Sequence, residues 1–257
     1  MQYRAREVII MVRQGGTGGN MDKKKIGIVG GMGPMATVEL FRLLVENTKS
    51  DSDRGHMRIF IDNNPQIPDR TAAVMKKGPS PVPEIISSVH GLERLGADII
   101  LIPCNTSHTF FDELQAASKA RLINMVEETV AVLKAAGVSR VGVLATDGTL
   151  MGGVYKKQLD LCGIDAIYPD ETEQREVMRF IYDGVKSGAA DYDASAFQGI
   201  VDRLYREGAQ VLILGCTELI LGINAFDVTV GRYIEPMRVL ANAAIVKAGY
   251  EPKFPAF

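Results

Sequence analysis

A chain of 257 residues, 46% of them apolar, has enough material for one large core or two modest ones without disulfide or metal staples. Its 29 basic and 31 acidic residues leave a formal charge of −2, which excludes a long-range field that would draw in nucleic acid or an anionic membrane, so small molecules are the expected partners. Three cysteines, an odd and low number, point to reduced thiols and a cytoplasmic setting, and the longest apolar runs, Ile99 to Pro103 and Val211 to Leu214, are too short to span a bilayer.

Met1 to Asn20 mixes Arg-rich and Gly-rich text without a signal-peptide pattern. We read residues 1–22 as an extension outside the fold, either disordered or a start-site artefact with Met21 as the true first residue. From there short apolar, β-branched runs alternate with longer helical patterns. Lys25 to Val29 is a strand, followed by Gly30-Gly31-Met32-Gly33-Pro34 and a helical stretch from Thr37 to Asn47. Further strands are read at Arg58 to Asp62, Asp98 to Ile102, Arg140 to Leu144 and Gln210 to Leu214. Helices are expected over Asn105 to Leu114, Tyr155 to Leu161 and Thr217 to Ile223. The alternation predicts an α/β protein with mainly parallel sheets, and the scarcity of polar residues in the strands predicts helices on both faces.

An internal repeat organises these elements. Leu92-Glu-Arg-Leu-Gly96-Ala97-Asp-Ile-Ile-Leu-Ile-Pro-Cys104 aligns without a gap to Leu204-Tyr-Arg-Glu-Gly208-Ala209-Gln-Val-Leu-Ile-Leu-Gly-Cys216, an offset of 112 residues. Ile26-Gly27-Ile28-Val29 and Val141-Gly142-Val143-Leu144 repeat at an offset of 115. Two pseudo-symmetric α/β domains are therefore expected, one of residues 23–120 plus 229–257 and one of residues 121–228. Their strand C-terminal ends should face a shared cleft, where open α/β sheets bind ligands. Each half would deliver one cysteine, Cys104 and Cys216, while Cys162, after a helix and without polar neighbours, reads as simple burial.

Two thiols on opposite sides of one carbon suit proton removal from one face and return to the other. A thiol pKa near ~8.5 lets the two groups exchange acid and base roles, which unperturbed lysines cannot do. Helices starting after each cysteine would favour the thiolate through their free N–H groups. Asn105, Thr106 and Thr217 are placed to donate to a carboxylate on which negative charge builds, and Glu218 and His108 lie close enough to assist proton movement. A histidine satisfied on a helix face is the alternative for His108.

At Pro103-Cys104-Asn105-Thr106-Ser107-His108 and Gly215-Cys216-Thr217-Glu218-Leu219 the sequence resembles the aspartate/glutamate racemase family, and the resemblance runs from Met21 to Phe254. It extends to Gly30 through Pro34, Asn63-Asn64-Pro65-Gln66-Ile67-Pro68-Asp69-Arg70-Thr71, Asp147-Gly148-Thr149 and Tyr182-Asp183-Gly184-Val185-Lys186. The Gly-Gly-Met-Gly-Pro and Cys-Thr-Glu segments are similar to the aspartate racemase branch rather than the glutamate branch. The resemblance implies a homodimer of two-domain subunits and cofactor-independent (pyridoxal-independent) racemisation by Cys104 and Cys216. It implies that Arg70 and Lys186 fix a dicarboxylate, that Asn105, Thr106 and Thr149 hold the α-carboxylate region, and that Met32, Asp69, Thr71, Ser107, Thr217 and Glu218 complete the substrate site. Because both cysteines are kept, reversible interconversion of enantiomers is expected.

Other readings stay open at this stage. Related cysteine pairs serve glutamate racemisation, hydantoin racemisation, maleate cis-trans isomerisation and arylmalonate decarboxylation; Arg70 with Lys186 favours a dianion over a hydantoin. A non-catalytic amino-acid-binding module would need neither thiol. Gly31-Met-Gly33-Pro-Met-Ala36 matches a dinucleotide fingerprint and would suit an NAD-dependent dehydrogenase, but Pro34 stiffens the turn and the second half lacks the glycines. The scattered histidines and cysteines have no metal-ligand spacing, so no metal is expected.

Overall fold

The computed structural model describes residues 23–257. The reading of residues 1–22 as an extension lies outside the described residues. The first half holds β1 (Ile26–Gly30), α1 (Pro34–Asn47), β2 (Ile59–Asn63), α2 (Arg70–Val74), α3 (Val82–Arg94), β3 (Ile99–Leu101), a 3₁₀ segment (Thr106–Phe110), α4 (Phe111–Ala117) and β4 (Arg121–Leu122). The second holds α5 (Met125–Ala135), β5 (Arg140–Ala145), α6 (Asp147–Met151), α7 (Val154–Cys162), β6 (Asp165–Ile167), α8 (Glu171–Arg179), a π-helical segment (Phe180–Lys186), α9 (Ser195–Arg206), β7 (Val211–Gly215), α10 (Thr217–Ala225) and β8 (Tyr233–Ile234). Helix α11 (Pro236–Lys247) then returns to the first half.

Two four-stranded sheets result, ordered β2-β1-β3-β4 and β6-β5-β7-β8, with every strand pair parallel. The two orders are the same topology, and β1 and β7 are buried at every position. Helices cover both faces of each sheet, as the near-continuous apolar strands require. One face of the first sheet packs Ile26 and Ile28 against α1 and α11; the other packs Val29 and Ile100 against α3.

The repeat survives at atomic detail. A Cβ on Gly27 would lie 2.7 Å from Ile100 Cδ1 and 3.1 Å from Leu92 Cβ; one on Gly142 would lie 2.5 Å from Leu212 Cδ2 and 3.3 Å from Leu204 Cβ. Leu92 and Leu204, and Ile100 and Leu212, are the aligned partners of the repeat. Gly96 and Gly208 both take positive φ, 91° and 98°, to turn a helix into the next strand. Asp98 accepts from Lys25 N–H and Gln210 from Ser139 N–H, each at 2.8 Å.

Several expectations shift. The short strands β4, β6 and β8 had no signal, because two or three residues carry no periodicity. The last strand of the first sheet ends at Leu122 and that of the second at Ile234, where the expected domain boundaries stood at 120 and 228. Helix α1 starts at Pro34 rather than Thr37, since proline at the first helical position loses no hydrogen bond. The helix expected over Asn105 to Leu114 is a 3₁₀ segment followed by α4, so only Cys216 directly precedes an α-helix.

Candidate active site

The loops that follow the strands converge on a cleft between the halves, enclosing about 370 Å³ that is continuous with solvent. Met32, Asp69, Arg70, Thr71, Cys104, Asn105, Thr106, Lys186, Cys216, Thr217 and Glu218 all line it. Two expected residues lie behind the wall: Ser107, fully buried and donating to Met32 Sδ at 3.4 Å, and Thr149, which touches Thr106 instead of the cleft. Thr146 and Tyr182 line the cleft without having been singled out. Thr146 follows β5 as Cys216 follows β7, a place the repeat marks, and Tyr182 opens the Tyr182 to Lys186 motif.

Three hydroxyls tie the halves together. Thr106 Oγ1 lies 3.1 Å from Thr146 Oγ1 and 2.8 Å from Thr149 Oγ1, and the last two are 3.1 Å apart. Each threonine carries one hydroxyl hydrogen, so closing the triangle uses all three. Gly148 lets the halves approach: a Cβ there would come within 2.7 Å of Thr71 Cα and 2.9 Å of Thr106 Cγ2. The Asp147-Gly148-Thr149 segment thus serves the seam rather than the wall.

Both cations are already engaged. Arg70 Nη1 donates to the carbonyls of Ile67 and Pro68, Nη2 donates to Met32 O at 3.3 Å, and its buried Nε has no acceptor. Lys186 Nζ lies 3.6 Å from Glu218 Oε1 and 4.5 Å from the centre of the Tyr182 ring. Burial opposes the lysine's charge, but the acidic groups around it, Glu218 first, more than offset it, so its pKa lies above the ordinary value. Asp69 caps α2, accepting from Ala72 N–H at 2.7 Å.

The environment of Cys216 departs from the expected helix-favoured thiolate. Its Sγ donates to Glu218 Oε2 at 2.9 Å, and Thr217 Oγ1 donates to the same oxygen at 2.9 Å. Burial, and then the charge and hydrogen bond of Glu218, push the Cys216 thiol well above its ordinary range; Lys186 only partly opposes them. Glu218 itself stays ionised: burial works against it, but Lys186 and the bonds from Cys216 and Thr217 hold its carboxyl below the usual value. Without ligand, Cys216 is thus held as a thiol, because burial and the neighbouring carboxylate outweigh Lys186 and the start of α10.

His108 takes no part in the cleft. It is buried, its Nε2 accepts from Met125 N–H at 3.1 Å, and its Nδ1 must then donate to Cys104 O at 2.9 Å. Burial pushes its pKa below the ordinary value, so it is a neutral brace between the Cys104 loop and α5. Cys162 is partly buried at the end of α7, remote from the cleft lining.

The dinucleotide fingerprint sits in a different sheet topology. Gly31 makes a tight turn against the Asn64 backbone, where a Cβ would come within 2.3 Å, and a Cβ on Gly33 would meet only Glu218 Oε1 at 4.0 Å, so Gly33 opens toward the Glu218 side of the cleft. The strand order differs from the 3-2-1-4 of dinucleotide-binding sheets. Among the described residues no group of three or more His, Cys, Asp or Glu is arranged to hold a metal ion, and no helix is long and apolar enough to cross a membrane.

Comparison with known proteins gives a consistent picture. The family model for Asp/Glu/hydantoin racemase matches residues 29–244. The broad specificity amino-acid racemase RacX of Bacillus subtilis (strain 168) is 29% identical over 202 residues, covering 76% of this chain and 85% of that protein. The aspartate racemase of Picrophilus torridus superposes with a TM-score of 0.76 at 32% identity, covering 89% of this chain and 96% of that one. Glutamate racemase from Campylobacter jejuni subsp. jejuni has the same fold, with a TM-score of 0.61 at 19% identity over 89% and 88% of the two chains.

Proposed function

This chain belongs to the Asp/Glu/hydantoin racemase family, and from that premise we propose that it is a cofactor-independent amino-acid racemase, an isomerase acting first on aspartate. The observation that carries the reading is that Cys104 and Cys216, aligned members of an internal repeat, line one cleft from opposite halves. The Cys104 thiolate takes the α-proton, leaving the electron pair on the α-carbon and its carboxylate. The Cys216 thiol, held protonated beside Glu218, returns a proton to the opposite face. The enzyme then carries Cys104 as thiol and Cys216 as thiolate, the form that runs the reverse reaction, with Lys186 balancing the charge next to Glu218.

Donors must meet the charge that develops on the α-carboxylate, because the α-proton is a far weaker acid than a thiol. Thr106, Thr146 and the Asn105 amide line the cleft for that role, while the Thr217 hydroxyl is committed to Glu218. Removing one such donor typically costs ~2.7–4 kcal/mol of transition-state stabilisation. A carboxylate entering the hydroxyl triangle must take one of its three hydrogens, so binding loosens the seam at that point.

The side-chain preference rests on Arg70 and Lys186. The buried Arg70 Nε without an acceptor favours an acidic side chain that would satisfy it. The pairing of Lys186 with Glu218 favours a second reading, a racemase of broad specificity, since a lysine already neutralised does not demand an anion. A cytoplasmic homodimer is part of the proposal, with the apolar outer face of α1 (Met35, Val38, Phe41 and Val45) available for the partner copy.

The test is to incubate the purified protein without pyridoxal phosphate in deuterated water with L-aspartate, L-glutamate or L-asparagine, following circular dichroism and α-deuterium by NMR. D-aspartate carrying α-deuterium is expected, falling by at least ~10²-fold in Cys104→Ala and in Cys216→Ala. Asparagine turned over as fast as aspartate makes broad specificity the correct reading. No exchange or inversion with any amino acid removes the racemase reading, and maleate becomes the next substrate to try.

A further inference from the structure

One buried side chain outside the cleft touches the loops of both cysteines. Tyr155, in the first turn of α7, is 1% exposed and packs among the Val126, Val141 and Ile213 side chains of the second core. Its hydroxyl crosses the seam and donates to Asn105 Oδ1 at 2.6 Å. Asn105 directly follows Cys104. The Tyr155 ring lies under Gly215, where a Cβ would come within 3.3 Å of Tyr155 Cε2, and Gly215 directly precedes Cys216. A rigid ring thus spans the distance between the peptide units adjoining the two thiols.

The hydrogen bond also orients Asn105. A primary amide has an acceptor end and a donor end, and an O–H donor selects the acceptor. With Oδ1 turned to Tyr155, the Nδ2 hydrogens face away from it, and Asn105 is a residue of the cleft wall. Asn105 makes no side-chain capping bond to its own loop, and among the described residues Tyr155 is its one side-chain partner. Burial keeps the tyrosine hydroxyl protonated, so the donor is present throughout the ordinary pH range.

We propose that Tyr155 is a positioning residue for the two-cysteine reaction: its hydroxyl holds the Asn105 amide with N–H toward the substrate carboxylate, and its ring spaces the Cys104 and Cys216 loops. The inference rests on the racemase reading above. Tyr155→Phe keeps the ring and removes the hydroxyl, so it separates orientation from spacing.

The experiment compares wild type, Tyr155→Phe, Asn105→Ala and the double variant in α-proton exchange of aspartate, with the Asn105 side-chain amide followed by ¹⁵N–¹H NMR in the unliganded protein. Tyr155→Phe is expected to lower kcat about tenfold with little change in KM, and Asn105→Ala about 10²-fold. The double variant should equal Asn105→Ala within about twofold, since the hydroxyl acts only through that amide. The Asn105 amide pair, assigned by its absence from Asn105→Ala, should shift in Tyr155→Phe. Multiplicative losses in the double variant, or an unshifted amide pair, overturn the inference and leave the racemase reading standing. A wild-type protein inert toward every amino acid overturns the racemase reading, while the amide signal still decides whether Tyr155 orients Asn105.

Discussion

Cys104 and Cys216 leave equivalent strands, yet the chain behaves differently once past each thiol. After Cys104 it winds into the 3₁₀ segment, pinned by a neutral His108 that braces the loop against α5. After Cys216 it runs directly into α10, whose first turn places an ionised carboxylate on the sulfur. The scaffold beneath the two loops is the same down to the glycine that admits a leucine in each half. A duplicated fold thus supplies two thiols of one kind, and burial with the residues after β7 holds Cys216 as a thiol. Symmetry sets where the groups stand; local electrostatics sets the proton on Cys216.

The strongest way to break this asymmetry is Glu218→Gln. It removes the carboxylate charge that raises the Cys216 thiol, so Cys216 should titrate at lower pH, read as thiolate absorbance in a protein lacking Cys104 and Cys162. Racemisation should fall by about 10²-fold, within the span of a lost acid–base assistant. An unchanged Cys216 titration would show that burial alone sets it. Next in size, Gly27→Ala and Gly142→Ala test the shared scaffold. The added methyl meets Ile100, Ala97 and Leu92 at Gly27, and Leu212 and Leu204 at Gly142, and each should cost about 1–3 kcal/mol in urea denaturation. Losses that differ by more than about 1 kcal/mol would mean that the halves are not equivalent in packing.

The smallest effect belongs to His108. Its pKa is lower in the folded protein than the ordinary 6.5, so below that value the unfolded chain binds a proton that the folded one refuses. Stability should therefore fall as pH drops below about 6.5, with a limiting slope of about 1.4 kcal/mol per pH unit until the folded histidine itself titrates. A His108→Gln variant should flatten that part of the curve relative to wild type. Equal slopes in the two proteins would mean that His108 does not act as a neutral brace.

The strands and the cysteine pair were legible in the sequence because burial on both sheet faces leaves continuous apolar runs, and because duplication wrote the same helix, turn and strand twice. The edge strands β4 and β8 were not, since two residues paired on one side carry no pattern. The site was readable wherever a residue sits directly after a strand, as with Asn105 and Thr217. It was unreadable where contact depends on the seam. Thr149 and Ser107 follow their strands closely but turn inward, and Tyr155 reaches Asn105 across 50 residues of sequence. Sequence also suggested a helix-activated thiolate at Cys216; burial and the carboxylate two residues on, 2.9 Å from the sulfur, reverse the sign, and neither the burial nor the contact is written in the local sequence.

The path of the chain between the sheets has a mechanical consequence. It passes from the first half to the second between Leu122 and α5, and returns between Ile234 and α11, while α11 lies against α1 on one side and α5 on the other. Helix α11 and the two crossings therefore hold the halves together from outside the site, while the threonine triangle and the Tyr155 bond hold them within it. Any parting of the halves separates Thr106 from Thr146 and Thr149, and Tyr155 from Asn105, so the groups that would hold substrate are also the groups that close the seam.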